Sequence, residues 1–148
     1  MRLFKQDTKV EALKSAPLFQ DLSRKELVQL ARVSEDLEVP PGKLLCKEGE
    51  IGHEFFVLVE GKAEVTRNSK RVATRGGGEF FGEIALLEQI PRTATVAAKT
   101  PLRFFVLTSK SFRQLVDENP GVERKVLRAL ARRVVELSND PTLACCSS

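Results

Sequence analysis

The stretch Phe80-Phe81-Gly82-Glu83-Ile84-Ala85-Leu86-Leu87-Glu88-Gln89-Ile90-Pro91-Arg92-Thr93-Ala94-Thr95 breaks the strand-like grammar on either side of it. A glycine opens it, a short apolar turn follows, and Pro-Arg with small residues returns the chain to strand. A helical turn over Ile84 to Leu87, starting just after a glycine, exposes unpaired backbone N–H groups at its first residues, a natural anion site. Gly82, Ala85 and Ala94 are small enough to let a ligand approach the backbone. Inside a concave mouth, Arg92 can grip two oxygens of a phosphate at once. Glu83, nine residues earlier, repels a phosphate, so a ligand that uses both residues must carry hydroxyl donors beside its anionic group. A nucleoside phosphate with a free ribose hydroxyl meets that requirement. An isolated Glu-x(8)-Arg is ordinarily a structural ion pair that closes a loop.

Outward from this segment, residues 36–107 are short runs rich in Val, Phe, Leu and Thr: Asp36–Val39, Leu44–Lys47, Phe55–Val59, Ala63–Thr66, Arg71–Thr74, Thr95–Ala98 and Arg103–Leu107. Gly, Asn-Ser or Pro separates them at regular spacing, which predicts an antiparallel β-barrel or jelly roll of about eight short strands. Gly76-Gly77-Gly78 lacks the Gly-Lys-Ser/Thr ending of a phosphate loop and is expected to be a flexible hairpin connection.

Helical periods flank the strands, giving an α+β chain. Val10 and Leu13 precede a stop at Pro17. Ser23 and Glu26 form an S-x-x-E capping box ahead of a helix expected over Arg24 to Val33. After Thr108, Phe112, Leu115 and Val116 mark one helix. Asn119 suits an N-cap and Pro120 the first helical position of a longer one, ending near Ser138. Val122, Val126, Leu130 and Val134 lie four apart along it, opposite a basic face. One domain is expected over residues 1–140, with a disordered tail from 141 to 148.

Composition narrows the function classes. The 148 residues are 42% hydrophobic and 30% charged, enough for one proper core. A net charge of +4 and a pI near 9.1 attract polyanions only mildly, because the basic residues are interleaved with acids. Cys46 and the adjacent Cys145 and Cys146 have no spacing for a disulfide framework or a zinc site, which fits a reducing cytoplasm. His53, the single histidine, reads as a turn residue. One histidine supports neither a cupin-type metal site nor a Ser-His-Asp set, so no metal and no catalytic residues are expected. No stretch has signal-peptide character or bilayer-spanning length.

Phe81-Gly82-Glu83-Ile84-Ala85-Leu86 followed by Pro91-Arg92-Thr93-Ala94-Thr95 resembles the phosphate-binding cassette of the cyclic nucleotide-binding domain family. The Glu-to-Arg spacing is similar to that of protein kinase A regulatory subunits. Pro41-Gly42, Gly49, Gly52, Phe55-Phe56 and Gly61 resemble the family's upstream turn positions. The resemblance covers about residues 10 to 138. It implies cAMP or cGMP as ligand, with Glu83 accepting from the ribose 2′-hydroxyl and Arg92 pairing with the cyclic phosphate. Backbone at Gly82, Ile84, Ala85 and Ala94 would complete the cradle. Thr93 stands at a position occupied by Thr in members of either base preference. The helix Asn119 to Ser138 is similar to the family's lid, with Leu127, Leu130, Arg128, Arg132 and Arg133 as candidates to cap the base.

The family's usual outputs are DNA binding, kinase regulation and channel gating. About ten residues follow Ser138, too few for a helix-turn-helix, and the sequence carries neither a second nucleotide domain nor transmembrane helices. The expected output is therefore an unidentified partner protein or a homodimer through the C-terminal helix. The expected function is a sensor of cAMP more than cGMP, and not an enzyme. The rivals are a ligand-free scaffold with a vestigial pocket and a nucleic-acid-binding face along Arg124 to Arg133.

Overall fold

The runs Phe55–Val59 and Leu102–Leu107 lack polar alternation because both faces of their strands are covered. Phe55, Val57, Phe105 and Leu107 pack against helical residues that include Leu13, Phe19, Leu30, Phe112 and Val126. Their neighbours Phe56, Leu58, Phe104 and Val106 point the other way, onto Ala63, Val96 and Ala98. Period-two alternation thus sorts one apolar run into two cores.

The computed structural model describes residues 6–138. Strands β1 (Glu35–Val39), β2 (Leu44–Cys46), β3 (Glu54–Glu60), β4 (Lys62–Arg67), β5 (Lys70–Gly76), β6 (Phe80–Phe81), β7 (Thr95–Ala98) and β8 (Leu102–Thr108) form two antiparallel sheets. One runs β1-β8-β3-β6 and the other β2-β7-β4-β5. The sheets face each other across the second core and do not close, so the architecture is a jelly roll and not a barrel.

Four α-helices lie outside the first sheet: α1 (Gln6–Lys14), α2 (Arg24–Val33), α3 (Ser109–Glu118) and α4 (Pro120–Ser138), with a 3₁₀ turn at Pro17–Phe19. The capping box of α2 forms as expected: Glu26 N–H donates to Ser23 Oγ at 3.2 Å and Ser23 N–H to Glu26 Oε1 at 2.8 Å. Asn119 precedes α4, but its side-chain amide donates backwards to Leu115 O at 3.0 Å and closes α3. Lys9 on α1 reaches Asp36 on β1 at 2.6 Å, with both side chains buried, and fixes the helical layer to the sheet. The Gly76–Gly78 run is not a hairpin connection. It leads from β5 in one sheet to β6 in the other, and Gly78 N–H donates to Leu58 O at 2.8 Å.

The apolar stripe of α4 is buried for only part of its length. Val122, Val126 and Ala129 are enclosed, whereas Leu127, Val134 and Val135 are more than half exposed. Ion pairs hold the helix down: Lys125 to Glu26 on α2 at 2.7 Å, and Arg132 to Asp21 after the first 3₁₀ turn. The tail from 141 to 148, with Cys145 and Cys146, lies outside the described residues.

Candidate functional site

A single left-handed residue turns the chain out of β6. Gly82 has φ +83°, a conformation that costs an L side chain and not glycine, and it starts a 3₁₀ turn over Glu83–Leu86. Ala85 and Leu86 are buried beneath that turn, and Ile84 faces outward. Ala85 N–H donates to Gly82 O at 3.0 Å, and Ile84 O accepts from Leu87 and Glu88. The return segment pairs with the turn before β3: Arg92 N–H donates to Glu50 O at 2.8 Å, Gly49 N–H to Arg92 O at 2.9 Å, and Gly52 N–H to Ile90 O at 3.2 Å.

This pairing delivers the Arg92 side chain into a slot where it is only 10% exposed. Its Nη2 donates to the main-chain oxygen of Glu54 at 2.8 Å and lies 3.9 Å from Glu54 Oε1. Its Cζ sits 5.7 Å from the centre of the Phe56 ring, within cation–π range, and Phe81 stacks on Phe56 with ring centres 4.8 Å apart. Two glycines form the walls. A Cβ on Gly52 would lie 2.4 Å from Arg92 Nε, and one on Gly82 would lie 2.5 Å from Nη1 and 2.7 Å from Glu54 O.

Glu83 stands beside this slot with its Oε2 buried and without a hydrogen-bond partner. Burial pushes its carboxyl above the usual range, and the positive charge of Arg133 on α4 acts in the opposite sense. A buried polar atom with nothing to bond is costly and rare. Glu83 is one of the residues that line a cavity of about 230 Å³, with Gly82, Ile84, Ala85, Ile90, Pro91, Arg92 and Thr93. Six of the eight residues expected from the sequence therefore converge on one space. Phe81 lies behind it in the Phe56 stack. Ala94 also lies outside the lining, where its carbonyl faces Cys46 Sγ at 3.7 Å. Thr93 is exposed and its carbonyl accepts from Arg67 Nε at 3.0 Å.

The sequence reading missed the surroundings of Arg92. In the sequence Gly52 and Phe56 stand only as turn and strand positions, and nothing marks Glu54. No residue-type signal marks the acceptor, because it is a main-chain oxygen that any residue at position 54 would supply. A larger groove of about 470 Å³ lies between the Glu83–Leu86 turn, α3 and α4, lined largely by apolar residues such as Leu86, Phe112, Val126 and Leu130. Neither Glu83 nor Arg92 lines it; both line the smaller cavity. Among the described residues, no three His, Cys, Asp or Glu side chains group in a way that could hold a metal ion.

The jelly roll thus presents a slotted arginine and a buried carboxylate on the lining of one small cavity, a set chemically able to take an anion that also carries hydroxyl groups. The family model described as "Cyclic nucleotide-binding domain" matches residues 36–119, and the chain belongs to that family. It is 41% identical over 106 residues to a cAMP-dependent protein kinase regulatory subunit of Yarrowia lipolytica, covering 70% of this chain and 28% of that protein. It is 36% identical over 120 residues to a cyclic nucleotide-gated potassium channel of Rhizobium etli, covering 80% of this chain and 34% of the channel. The chain thus spans about a third of the length of these relatives. Among solved structures, the N-terminal domain of a transcriptional regulator from Streptomyces coelicolor A3(2) superposes with a TM-score of 0.80 at 29% identity, covering 86% of this chain and 93% of that one. No helix among the described residues is long and apolar enough to cross a membrane.

Proposed function

We propose that this chain, as a single domain over residues 1–140, is a cytoplasmic sensor of cyclic nucleotide, for cAMP rather than cGMP, and not an enzyme. The observation that carries the reading is the buried, unpartnered Oε2 of Glu83 beside the slotted Arg92. A ribose 2′-hydroxyl supplies the missing donor, and the cyclic phosphate supplies the anion for Arg92 and for backbone at Gly82, Ile84 and Ala85, which line the cavity; Ala94, expected in the same cradle, lies outside that lining. The names of the kinase regulatory-subunit relatives favour cAMP. Cys46 has no disulfide partner among the described residues, in keeping with a reducing compartment.

In this reading α4 is the responsive element. It is tied to the N-terminal helical layer by Lys125 and Arg132, and its Arg133 carries a charge that Glu83 senses. Ligand shifts the docked population of α4 by its differential affinity for that state. The exposed Leu127, Val134 and Val135 favour an output through a partner protein or a second copy of the chain.

Isothermal titration with cAMP and with cGMP tests the proposal. Saturable binding with a Kd of about 1 μM or tighter is expected for cAMP, with cGMP weaker. Silence with both nucleotides, on folded protein free of co-purified ligand, overturns it.

A further inference from the structure

We infer that Glu54 is a built-in attenuator of the anion site, its carboxylate competing with an incoming phosphate for Arg92; this rests on the ligand reading above. Arg92 is positioned without help from that carboxylate. Its hydrogen bond goes to the main-chain oxygen of Glu54 at 2.8 Å, the Phe56 ring lies beneath it, and Gly52 and Gly82 wall it in. The Glu54 side-chain oxygen at 3.9 Å is too distant for a hydrogen bond, and the side chain is 44% exposed. It therefore adds charge to the site and little geometry.

The sign of that charge is the functional point. Arg92 already faces two carboxylates, Glu54 at ion-pair distance and Glu83 across the cavity. A phosphate on the same guanidinium is a third negative group within a few ångströms of Glu54. Solvent at the half-exposed Glu54 softens the repulsion without abolishing it. The wild-type site therefore binds its anion less tightly than its arginine slot permits, and the module lets ligand go more readily when its concentration falls.

Glu54→Gln keeps the main-chain acceptor and the shape while removing the charge. Titration of wild type and E54Q at low salt is expected to show about three- to tenfold tighter cAMP binding in the variant. The factor should be equal for cGMP, whose phosphate is the same, and should shrink in about 0.5 M salt. Adenosine, which has the ribose hydroxyls but no phosphate, should show no gain. Equal or weaker nucleotide binding by E54Q, with wild type binding normally, overturns the attenuator alone. A gain that persists in high salt or extends to adenosine assigns Glu54 a packing role and overturns it too. Silence of both proteins toward both nucleotides overturns the ligand reading along with it.

Discussion

Lys125 Nζ donates to Glu26 Oε1 at 2.7 Å, across 99 residues of sequence, and the same carboxylate oxygen accepts Ser23 N–H to complete the capping box of α2. A local signal for starting one helix therefore doubles as the anchor for another. Burial would raise the Glu26 carboxyl, but the hydrogen bonds from Lys125 and Ser23 outweigh it and leave the group below its ordinary value of 4.5. A depressed carboxyl contributes stability above its unfolded value, and that contribution is lost as pH falls through the lower folded value. Lys125→Met is expected to cost about 1 kcal/mol at pH 7, with the difference from wild type closing as pH falls below the ordinary carboxyl value of 4.5 and through the lower folded one. Urea denaturation at a series of pH values checks it, and a pH-independent difference would contradict the linkage.

Glu83 runs the other way. Its carboxyl is raised by burial, so deprotonation costs the folded state free energy that is absent below the unfolded value and grows as pH rises through the folded one. Glu83→Gln is expected to raise the melting temperature of the ligand-free domain at pH 7, with the gain vanishing in acid. The same change should weaken cAMP binding by about 1–3 kcal/mol through loss of one charge-assisted acceptor. A variant that is less stable and binds normally would show that Glu83 serves the fold instead of the ligand.

Removing Arg92 empties the slot. Arg92→Ala is expected to weaken nucleotide binding by about 2–5 kcal/mol, because the phosphate loses a desolvated charge partner. Arg92→Lys should recover only part of this, since an ammonium cannot serve both the Glu54 main-chain oxygen and two phosphate oxygens in the planar manner of a guanidinium. Calorimetric titration gives both values, and an unchanged affinity in Arg92→Ala would remove the residue from the site.

Gly52 and Gly82 separate binding from stability. Gly82→Ala meets backbone strain at φ +83° and a clash with the main-chain oxygen of Glu54, so a stability loss of about 1–3 kcal/mol is expected together with weaker binding. At Gly52 the added methyl meets Arg92 side-chain atoms, which can shift. Gly52→Ala should therefore lose affinity with less loss of stability. Thermal melts and titrations of the two variants side by side test the contrast.

Features whose physical cause lies within a few residues were legible in the sequence. Helix α2 begins and ends where its capping box and apolar period put it, at Arg24 and Val33. The turn after Gly82 was legible because a glycine followed by a short apolar run carries its backbone geometry locally. The two-residue strand β6 was not, because nothing in Phe80-Phe81 reveals that β3 lies beside it. The stripe of α4 was readable as a stripe, but periodicity does not say how far the opposing surface extends, and Val134 stands 55% exposed. The closed barrel was one of two open readings, and only the strand pairing decided for a jelly roll.

By itself the sequence determined the alternation of strands and helices, the family, and a short turn whose Glu83 and Arg92 the structure brings to one cavity. The alternation and the turn follow from backbone propensity, capping and side-chain type over short distances. Tertiary structure decided which groups hold Arg92 before any ligand arrives. Glu54, Phe56 and Gly52 are about forty residues away in sequence and meet it only because residues 49–52 pair with 90–92. It also decided that Glu83 Oε2 is buried without a partner, a property of how the Glu83–Leu86 turn packs against β3 and α3 and not of the residue itself. Burial and pairing are sums over distant neighbours, and no local pattern encodes them.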